Sequence, residues 1–340
     1  MHCPPSKRRD FCLITGQSLA GAEVIVDQGS LPIPGLFMPS PESAAGVSSR
    51  VRLVRAPGSG LLQLDHDLNP DLYFYYKSGR VDSSHIKHIE STADAIALRY
   101  STCARILEIG GGAGHLMKAL ARRGFTNLHV VDPSAENEEG QGYQAIRGIF
   151  PEALVDCKIQ FDLIIGQHFL EHSAVPVAVL QAAAGLMTKS GEVWIEVPDI
   201  ERSALADHGE SLSIIYALHS GYYDATTLGI IGTEAGLNLL RIYPVDHYGK
   251  SLVAVFGRSG PSIATTGQDH PQISAASQQV TAAIRGYFHQ LADFGQALPP
   301  GLLCWGAAER CITVLGACMA GGFRPGAICD SNPDLRGLFP

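Results

Sequence analysis

A glycine-rich loop lies between an apolar strand-like segment and a helical segment. The run is Arg105-Ile-Leu-Glu-Ile-Gly-Gly-Gly-Ala-Gly-His115. Glycines allow a ligand to approach the backbone closely, and the N-terminus of the following helix favours polar or anionic groups. The loop does not fit the dinucleotide fingerprint G-x-G-x-x-G/A in any register. It fits E-x-G-x-G-x-G, formed by Glu108, Gly110, Gly112 and Gly114.

An acidic residue closes the next predicted strand. Asp132 ends the run Leu128-His-Val-Val-Asp. It follows the loop by about 20 residues, the distance at which a carboxylate accepts hydrogen bonds from ribose hydroxyls in nucleotide sites. The loop and the acid together predict a site for a nucleoside-containing cofactor.

A further apolar run, Phe161-Asp-Leu-Ile-Ile-Gly-Gln-His-Phe-Leu-Glu-His, carries polar residues at its end. Ligands of open α/β sheets bind at the carboxyl ends of strands. We therefore expect Gln167 and His168 to lie where cofactor and acceptor meet. For Glu171 and His172, the sequence leaves two roles open: direct participation, or a helix-starting pair that satisfies the local backbone.

The elements that must position these residues alternate along residues 81–258. Apolar runs predict strands at Ile106–Ile109, Leu128–Val131, Phe161–Ile165, Glu192–Val197, Leu237–Ile242 and Leu252–Phe256, with helices near 84–100, 114–123, 175–188 and 225–236. Alternating strands and helices indicate a largely parallel sheet. The last two strands are too close for a crossover helix, so they should pair as an antiparallel hairpin that turns near His247–Lys250.

Two smaller segments flank this α/β core. Residues 1–80 are rich in Pro, Gly and Ser and predict a small β-containing module. After a linker over 259–275, a helix near 276–293 and the strands Leu302–Trp305 and Ala327–Asp330 predict half of a second α/β domain. Such a half-built sheet has an unpaired edge, so either the sequence is truncated or another element completes it. The predicted boundaries are therefore 1–80, 81–258 and 259–340.

Composition excludes several classes of protein. The 340 residues carry a formal net charge of −8, which argues against coating nucleic acid or an anionic membrane. No apolar window is long enough to span a bilayer, and no secretory signal is evident. The eight cysteines form no compact framework, so we expect reduced thiols and a cytoplasmic protein. The oligomeric state stays open.

The loop, Asp132 and the flanking blocks resemble S-adenosylmethionine-dependent methyltransferases. Within them, the chain resembles the three-part C-methyltransferases that act on nucleotide-linked keto-deoxysugars. The blocks that carry this resemblance are LEIGGGAGHL, VVDPS, FDLIIGQHFLEH, IEVPD, DHYGKSL, CWGAAER and ICDSNPDLRGLFP. The resemblance implies a class I, Rossmann-like core with S-adenosylmethionine as cofactor and a small-molecule methyl acceptor as partner.

The N-terminal block departs from the zinc-binding module of that family. Such modules hold zinc with two pairs of ligands, usually C-x-x-C. Here the first pair is Cys12 and Thr15, and the second falls at Ala56 and Ser59. We therefore expect a module that keeps its shape but binds no metal.

The predicted acceptor site also departs from the family. The family carries Tyr, Glu and His in close succession before a Tyr-Phe pair; Tyr216 and His219 match, but Leu218 stands at the glutamate position. The resemblance implies that His219 removes a proton while Tyr76 and Tyr216 orient the acceptor. A histidine on an apolar segment is ordinarily a core residue, which is the alternative for His219.

The function expected from these features is methyl transfer to a carbon next to a carbonyl, in a natural-product or nucleotide-sugar intermediate. The missing glutamate indicates that the acceptor differs from the usual 4-keto sugar. O- or N-methylation on the same scaffold is the nearest alternative. A non-catalytic cofactor-binding subunit is a third, favoured by the decayed zinc positions and the half-built final domain.

Overall fold

The computed structural model describes residues 7–34, 36, 48–74, 83–137, 140–205, 212–247, 249–263, 275–306 and 309–329. The strands are β1 (Lys7–Arg8), β2 (Glu23–Pro32), β3 (Ser48–Arg55), β4 (Leu62–Leu64), β5 (His66–Asp67), β6 (Arg105–Ile109), β7 (Asn127–Asp132), β8 (Gln144–Arg147), β9 (Phe161–Gln167), β10 (Met187–Pro198), β11 (Gly221–Tyr222), β12 (Asn238–Val245), β13 (Ser251–Gly257), β14 (Leu303–Trp305) and β15 (Ala327–Cys329). The helices are α1 (Ser83–Ala97), α2 (His115–Arg122), α3 (Pro176–Leu186), α4 (Ile200–Leu205), α5 (Ala225–Glu234), α6 (Ala275–Ala297) and α7 (Glu309–Ala320), with 3₁₀ turns at Pro70–Phe74, Glu152–Leu154 and Leu170–His172.

The central sheet has seven strands within the described ranges, in the order β12-β13-β10-β9-β6-β7-β8. The pairs β10–β9, β9–β6, β6–β7 and β7–β8 are parallel. The hairpin β12–β13 is antiparallel and joins the sheet against β10. This mixed α/β sheet with a final antiparallel hairpin confirms the class I methyltransferase fold expected for the core. The edge strand β8 was not predicted from the sequence.

Apolar layers cover both faces of the central sheet. On one face, α1 and α2 bury residues such as Ile96 and Leu120 against Ile106, Ile165 and Val255. On the other face, apolar residues of α3 and α5 pack against the sheet in a separate core. The parallel strands are buried on both faces, which explains why they are nearly continuous apolar runs in the sequence.

A second, four-stranded sheet combines distant parts of the chain in the order β11-β4-β3-β2. Strand β11 comes from the segment just after His219 and pairs with β4 of the N-terminal module. The core beneath this sheet also includes Ile284 of α6 and Ala317 of α7. Residues from all three predicted domains therefore share one core, and the boundaries given above remain a prediction.

The C-terminal strands β14 and β15 pair in parallel with α7 between them, which confirms the predicted βαβ arrangement. Thr313 of α7 donates its hydroxyl hydrogen to the carbonyl of Ser213, at 3.0 Å. This contact places the helix against the segment that carries Tyr216 and His219. Among the described residues, the helices are all too short or too polar to cross a bilayer.

Candidate active site

The glycine loop leaves β6 at the carboxyl edge of the central sheet. Gly110, Gly112 and Gly114 have φ angles of +71°, +51° and +66°, a region that only glycine adopts without strain. Helix α2 starts directly after the loop, so the backbone N–H groups of its first turn face the space at the sheet edge. The loop therefore has the left-handed turns and the helix start that its sequence pattern predicts.

Steric contacts explain why two of these positions lack a side chain. A Cβ added at Gly110 would lie 2.8 Å from the Phe169 ring, and one at Gly114 would lie 2.4 Å from Tyr143. At Gly112 an added Cβ would meet nothing within 4 Å. The middle of the loop is thus open on its outer side, where a ligand can lie against the backbone.

Asp132 ends β7 beside the loop, as expected. Its Oδ2 accepts a hydrogen bond from the N–H of Gly112 at 3.0 Å. Its Oδ1 accepts from the N–H of Ser134 at 2.7 Å. An ionised carboxylate has about four lone-pair positions, so Asp132 can hold the loop in place and still accept hydrogen bonds from a ligand.

Glu108 lies beneath the loop and is only 5% exposed. Its Oε2 atom has no hydrogen-bond partner among the described residues. Burial, and secondarily the charge of Asp132, raises the pKa of Glu108 to about 8. A Cβ added at Gly111 would come within 2.6 Å of this carboxyl group, so the glycine is required for the loop to close over Glu108.

These features fit S-adenosylmethionine. The loop offers an open backbone surface at Gly112, Asp132 offers carboxylate oxygens for ribose hydroxyls, and Glu108 offers a buried oxygen without a partner. Gly110, Gly112, Gly114, Glu108 and Asp132 lie together at one edge of the sheet. Their roles in holding the cofactor remain predictions.

Gln167 and His168 lie at the end of β9, next to the loop. Gln167 donates from Nε2 to Oε2 of Glu196 at 2.9 Å. His168 has a φ of +48°, and its Nε2 lies 3.3 Å from Oε1 of Glu196. Both side chains therefore point to a buried network centred on Glu196, and their predicted contact with the cofactor remains untested.

His219 is buried in a group of aromatic rings. Its ring centroid lies 4.3 Å from that of Tyr216 and 4.7 Å from that of His172. Burial, followed by the nearby His172 and His168, lowers the pKa of His219 well below its usual value, although a hydrogen bond to the backbone of Ile214 acts in the opposite direction. The imidazole is consequently neutral at pH 7.

Glu171 supplies the carboxylate that the sequence lacks at position 218. Ligand atoms of Glu171, His172 and His219 all lie within 4.8 Å of one another, and Glu171 is 1% exposed. It comes from the 3₁₀ turn after β9, whereas His219 comes from the segment before β11. The sequence left the role of Glu171 open because this proximity is a tertiary feature.

Tyr76, the third residue predicted for the acceptor site, lies outside the described residues. The nearby Tyr73 is described and contacts the His219 region. Its hydroxyl donates to the carbonyls of Leu218 at 3.2 Å and of His172 at 3.3 Å. A tyrosine from the same N-terminal segment thus positions the backbone on both sides of the site.

Sequence reasoning missed one group of polar residues. Oε2 of Glu196 lies 2.8 Å from Nε2 of His88, and its Oε1 lies 3.2 Å from Nδ1 of His247. Glu196 and His247 each belong to a block quoted above, IEVPD and DHYGKSL. Those blocks were the available signal, but nothing in the sequence shows that they meet.

The positions that match the zinc ligands of the family that the sequence resembles come together in the N-terminal module. Sγ of Cys12 lies 3.2 Å from Oγ of Ser59. Cys12 and Ala56 are each 1% exposed. The N–H of Gly16 bonds to the carbonyl of Cys12 at 2.9 Å, and the N–H of Gly60 bonds to that of Ala56 at 3.0 Å. The two turns therefore face each other, while the expectation of no metal there remains a prediction.

Comparison with protein families identifies the central region. Residues 85–242, a little under half of the chain, match the family model described as a methyltransferase domain. A ubiquinone biosynthesis O-methyltransferase of Parvibaculum lavamentivorans is 32% identical over 111 residues, which are 30% of this chain and 43% of that protein. The chain thus matches less than half the length of this curated relative.

Solved structures give matches at lower identity. Magnesium protoporphyrin IX methyltransferase from Synechocystis PCC 6803, with bound SAH, is 15% identical with a TM-score of 0.40, covering 54% of this chain and 91% of that one. The CcbJ methyltransferase from Streptomyces caelestis is 14% identical with a TM-score of 0.41, covering 56% and 96%. The family match, the strand order and the open glycine loop agree on a class I methyltransferase fold for residues 85–242, the fold of enzymes whose cofactor is S-adenosylmethionine.

Proposed function

We propose that this protein transfers a methyl group from S-adenosylmethionine to a carbon next to a carbonyl in a natural-product or nucleotide-sugar intermediate. Support comes from the methyltransferase domain and from a buried histidine within it, His219. Bound S-adenosylmethionine would supply an electrophilic methyl group at its sulfonium. The rest of the reaction falls to side chains of this chain.

The observation that carries the proposal is the state of His219 and Glu171. Nδ1 of His219 and Oε2 of Glu171 are buried and have no hydrogen-bond partner among the described residues. Unsatisfied buried polar atoms are costly, and in native proteins they indicate a functional role or a missing ligand. A substrate bound here would provide the partner that these atoms lack.

The chemistry of the pair suits proton removal from carbon. The lowered pKa of His219 leaves its imidazole neutral, so it can accept a proton without first losing one. The nearby carboxylate of Glu171 stabilises the imidazolium that results. The acceptor's C–H bond breaks, its proton passes to His219, and a C–C bond forms as the C–S bond breaks, which leaves S-adenosylhomocysteine.

Tyr216 and the glycine loop have supporting roles in this proposal. The ring of Tyr216 is tilted by 38° against that of His219 and would orient the acceptor or its enolate. Gly112 and Asp132 would hold the cofactor at the ends of β6 and β7. Tyr76 stays a proposed contact of the acceptor on the strength of the family resemblance alone.

The test combines product analysis with hydrogen exchange. Protein and S-adenosylmethionine labelled with ¹³C in the methyl group are incubated with nucleotide-linked 4-keto sugars and with other carbonyl compounds that carry an acidic C–H. We expect S-adenosylhomocysteine to form, and a methyl resonance bonded to carbon to appear. In deuterated solvent, wild-type protein without cofactor should exchange the acceptor's α-hydrogen, and the His219→Gln variant should not.

O-methylation is a second candidate, because the ubiquinone biosynthesis relative is an O-methyltransferase by name. The same base could remove a hydroxyl proton, and the labelled methyl would then be bonded to oxygen. That result would replace the carbon acceptor while keeping His219. Cofactor binding without turnover over the whole panel would instead favour the non-catalytic alternative.

A further inference from the structure

Several imidazole rings surround one buried carboxylate at the carboxyl edge of the central sheet. Glu196 is 3% exposed. His88 contacts its Oε2 at 2.8 Å, His247 its Oε1 at 3.2 Å and His168 its Oε1 at 3.3 Å. His85 adds a fourth ring, since its Nδ1 lies 3.2 Å from Nε2 of His247. This group adjoins the proton-abstracting pair proposed above, since Nδ1 of His168 lies 3.4 Å from Oε1 of Glu171, but His85, His88, Glu196 and His247 have no part in that pair.

Three separate elements bring these groups together. His85 and His88 are one helical turn apart on α1, Glu196 lies near the end of β10, and His247 lies in the turn between β12 and β13. The rings of His88 and His247 stack with centroids 3.8 Å apart and an angle of 12°. Each group is thus held by a rigid element or by ring packing, as a preformed ligand site requires.

Imidazole nitrogens and a carboxylate oxygen suit a metal ion of intermediate softness. Two imidazoles and one carboxylate are the protein ligands of many catalytic zinc sites, and a two-histidine, one-carboxylate set also binds other divalent transition metals. We propose that His88, Glu196 and His247 bind a divalent transition-metal ion such as Zn²⁺. This goes beyond the proposed methyl transfer and departs from the expectation, drawn from the sequence, that the chain holds no metal.

The distances between the donor atoms support a single ion. Ligands 2.0–2.1 Å from a tetrahedral ion lie about 3.3 Å from one another. One ligand atom each from His88, Glu196 and His247 can be chosen so that all lie within 4.8 Å of one another. The carboxylate already contacts His88 at 2.8 Å and His247 at 3.2 Å. Rotation of the two rings out of their nearly parallel stacking would direct all three donors to one ion.

Outer contacts orient the proposed ligands. Gln167 donates to Oε2 of Glu196 at 2.9 Å. Ser251 donates its hydroxyl hydrogen to the carbonyl of His247 at 2.9 Å. Ligands in metal sites are usually held by such secondary hydrogen bonds. These contacts also give Gln167 a role that the sequence pattern did not predict.

An entry path exists from solvent. A cavity of about 510 Å³ lies between α1 and the sheet, and its lining includes His88, Glu196, Gln167, Thr92 and Asp246. Three protein ligands leave one position of a tetrahedral ion for water or a substrate oxygen. The cavity beside His88 and Glu196 has room for such a water or substrate.

A second trio, Glu171, His172 and His219, also has ligand atoms within 4.8 Å of one another. Its residues are absent from the lining of that cavity. His88 and Glu196, by contrast, line it, and His172 is already engaged through Nδ1 with the carbonyl of Leu218 at 3.0 Å. The structure therefore favours the trio around Glu196.

The test is metal binding by untagged full-length protein after chelator treatment. Zn²⁺ is titrated calorimetrically, and Co²⁺ is titrated with visible absorption, which reports tetrahedral coordination. We expect one ion per chain. His88→Ala, His247→Ala and Glu196→Gln should each weaken binding about 100-fold or more, the upper range for loss of even an outer partner.

Two control variants should bind the ion like wild type: His289→Ala, which removes an exposed histidine, and Cys12→Ser, which tests the N-terminal module. Thermal unfolding without metal shows which variants are folded. If Glu196→Gln is not folded, His88→Ala decides, because His88 is less deeply buried, at 14% side-chain exposure against 3% for Glu196. The proposal would be overturned if wild-type protein that binds S-adenosylhomocysteine took up no stoichiometric metal ion. Binding that survives His88→Ala and His247→Ala but is lost in His172→Ala would overturn it equally, by placing the ion at the other trio.

Discussion

The glycine loop and the histidine cluster lie at the same edge of one sheet but are built in different ways. The hydrogen bond between Gly112 and Asp132 joins residues 20 positions apart. The contact between His88 and Glu196 joins residues 108 positions apart. The loop region is one strand-loop-helix-strand unit, whereas the cluster needs a helix, a strand and a hairpin to be packed correctly first.

This difference separates binding from chemistry in the protein. The loop offers backbone N–H groups and one carboxylate, which suit the holding of a cofactor. The histidine region, which includes His219 and Glu171, offers buried imidazoles and carboxylates, and the pKa of His219 is lowered by burial; such groups suit proton transfer and metal binding. Changes in the loop should therefore affect cofactor affinity, and changes in the histidine region should affect turnover.

The largest effect is expected at His219. His219→Gln should lower turnover about 10²–10⁴-fold, the usual contribution of one positioned acid–base group. Cofactor affinity should stay unchanged, because the residues expected to hold the cofactor belong to other segments. Steady-state kinetics and calorimetry measure the two quantities, and His289→Gln, at an exposed histidine, is the matched control. Turnover within a few-fold of wild type would remove His219 from the mechanism.

The second effect concerns how the free energy of unfolding depends on pH. Glu108 in the loop region and His219 in the histidine region should change it in opposite directions. The pKa of Glu108 is raised from 4.5 to about 8, so the folded state keeps a proton that the unfolded state loses. The contribution of Glu108 to wild-type stability should therefore fall as pH rises from 4.5 to 8, by an amount on the order of a few kcal/mol. Glu108→Gln should remove this loss.

His219 should act with the opposite sign. Its folded-state pKa lies well below 6.5, so the unfolded state binds the extra proton and stability falls as pH drops below 6.5. Urea unfolding of wild type, Glu108→Gln and His219→Gln at a series of pH values checks both predictions. Coincident curves for Glu108→Gln and wild type between pH 4.5 and 8 would contradict the first.

The third effect concerns cofactor affinity. Asp132→Ala should weaken S-adenosylmethionine binding by about 1.5–3 kcal/mol, the scale of hydrogen bonds to a charged group. Asp162→Ala is the matched control. Asp162 lies near the start of β9, away from the strand ends that carry the loop and Asp132, and it accepts a hydrogen bond from the N–H of Arg105 at 2.9 Å. Calorimetry with both variants decides. Equal losses of cofactor affinity in the two variants would show that Asp132 affects binding only through the stability of the protein.

The smallest effect is expected at Tyr143, whose hydroxyl donates to the carbonyl of Ala113 in the loop at 3.2 Å. Tyr143→Phe removes only this hydrogen bond and should weaken cofactor binding by about 0.5–1.5 kcal/mol. Turnover at saturating cofactor should not change. Tyr243→Phe, on the exposed side of β12, is the control. A turnover loss as large as that of His219→Gln would break the proposed separation of binding from chemistry.

Sequence reasoning succeeded where a feature was local. The strands and helices of the core lie within a few residues of their predicted bounds, because their apolar runs and glycine turns are encoded in short windows. It missed β8, a partly exposed edge strand whose four residues QAIR carry little apolar pattern. In the N-terminal module it predicted only a small β-containing unit, without the long antiparallel pair of β2 and β3, whose register is irregular.

The residues of the candidate site divide in the same way. Glu108, the loop glycines and Asp132 were predicted because their chemistry and spacing sit in one unit. The approach of Glu171 to His219, which supplies the carboxylate absent at position 218, could not be predicted. The segment that carries His219 is fixed by pairing of β11 with the N-terminal module, so its position depends on contacts between distant segments.

The sequence by itself thus determined the fold of the central domain and the expected place of the cofactor, because backbone conformation and local hydrogen bonds depend on neighbouring residues. Only the tertiary structure decided which histidines meet which glutamates. Histidines from α1 and from the β12–β13 turn meet Glu196 of β10 because these three elements pack together at one edge of the sheet. Such convergence depends on packing between elements, which the pattern within any one element does not specify.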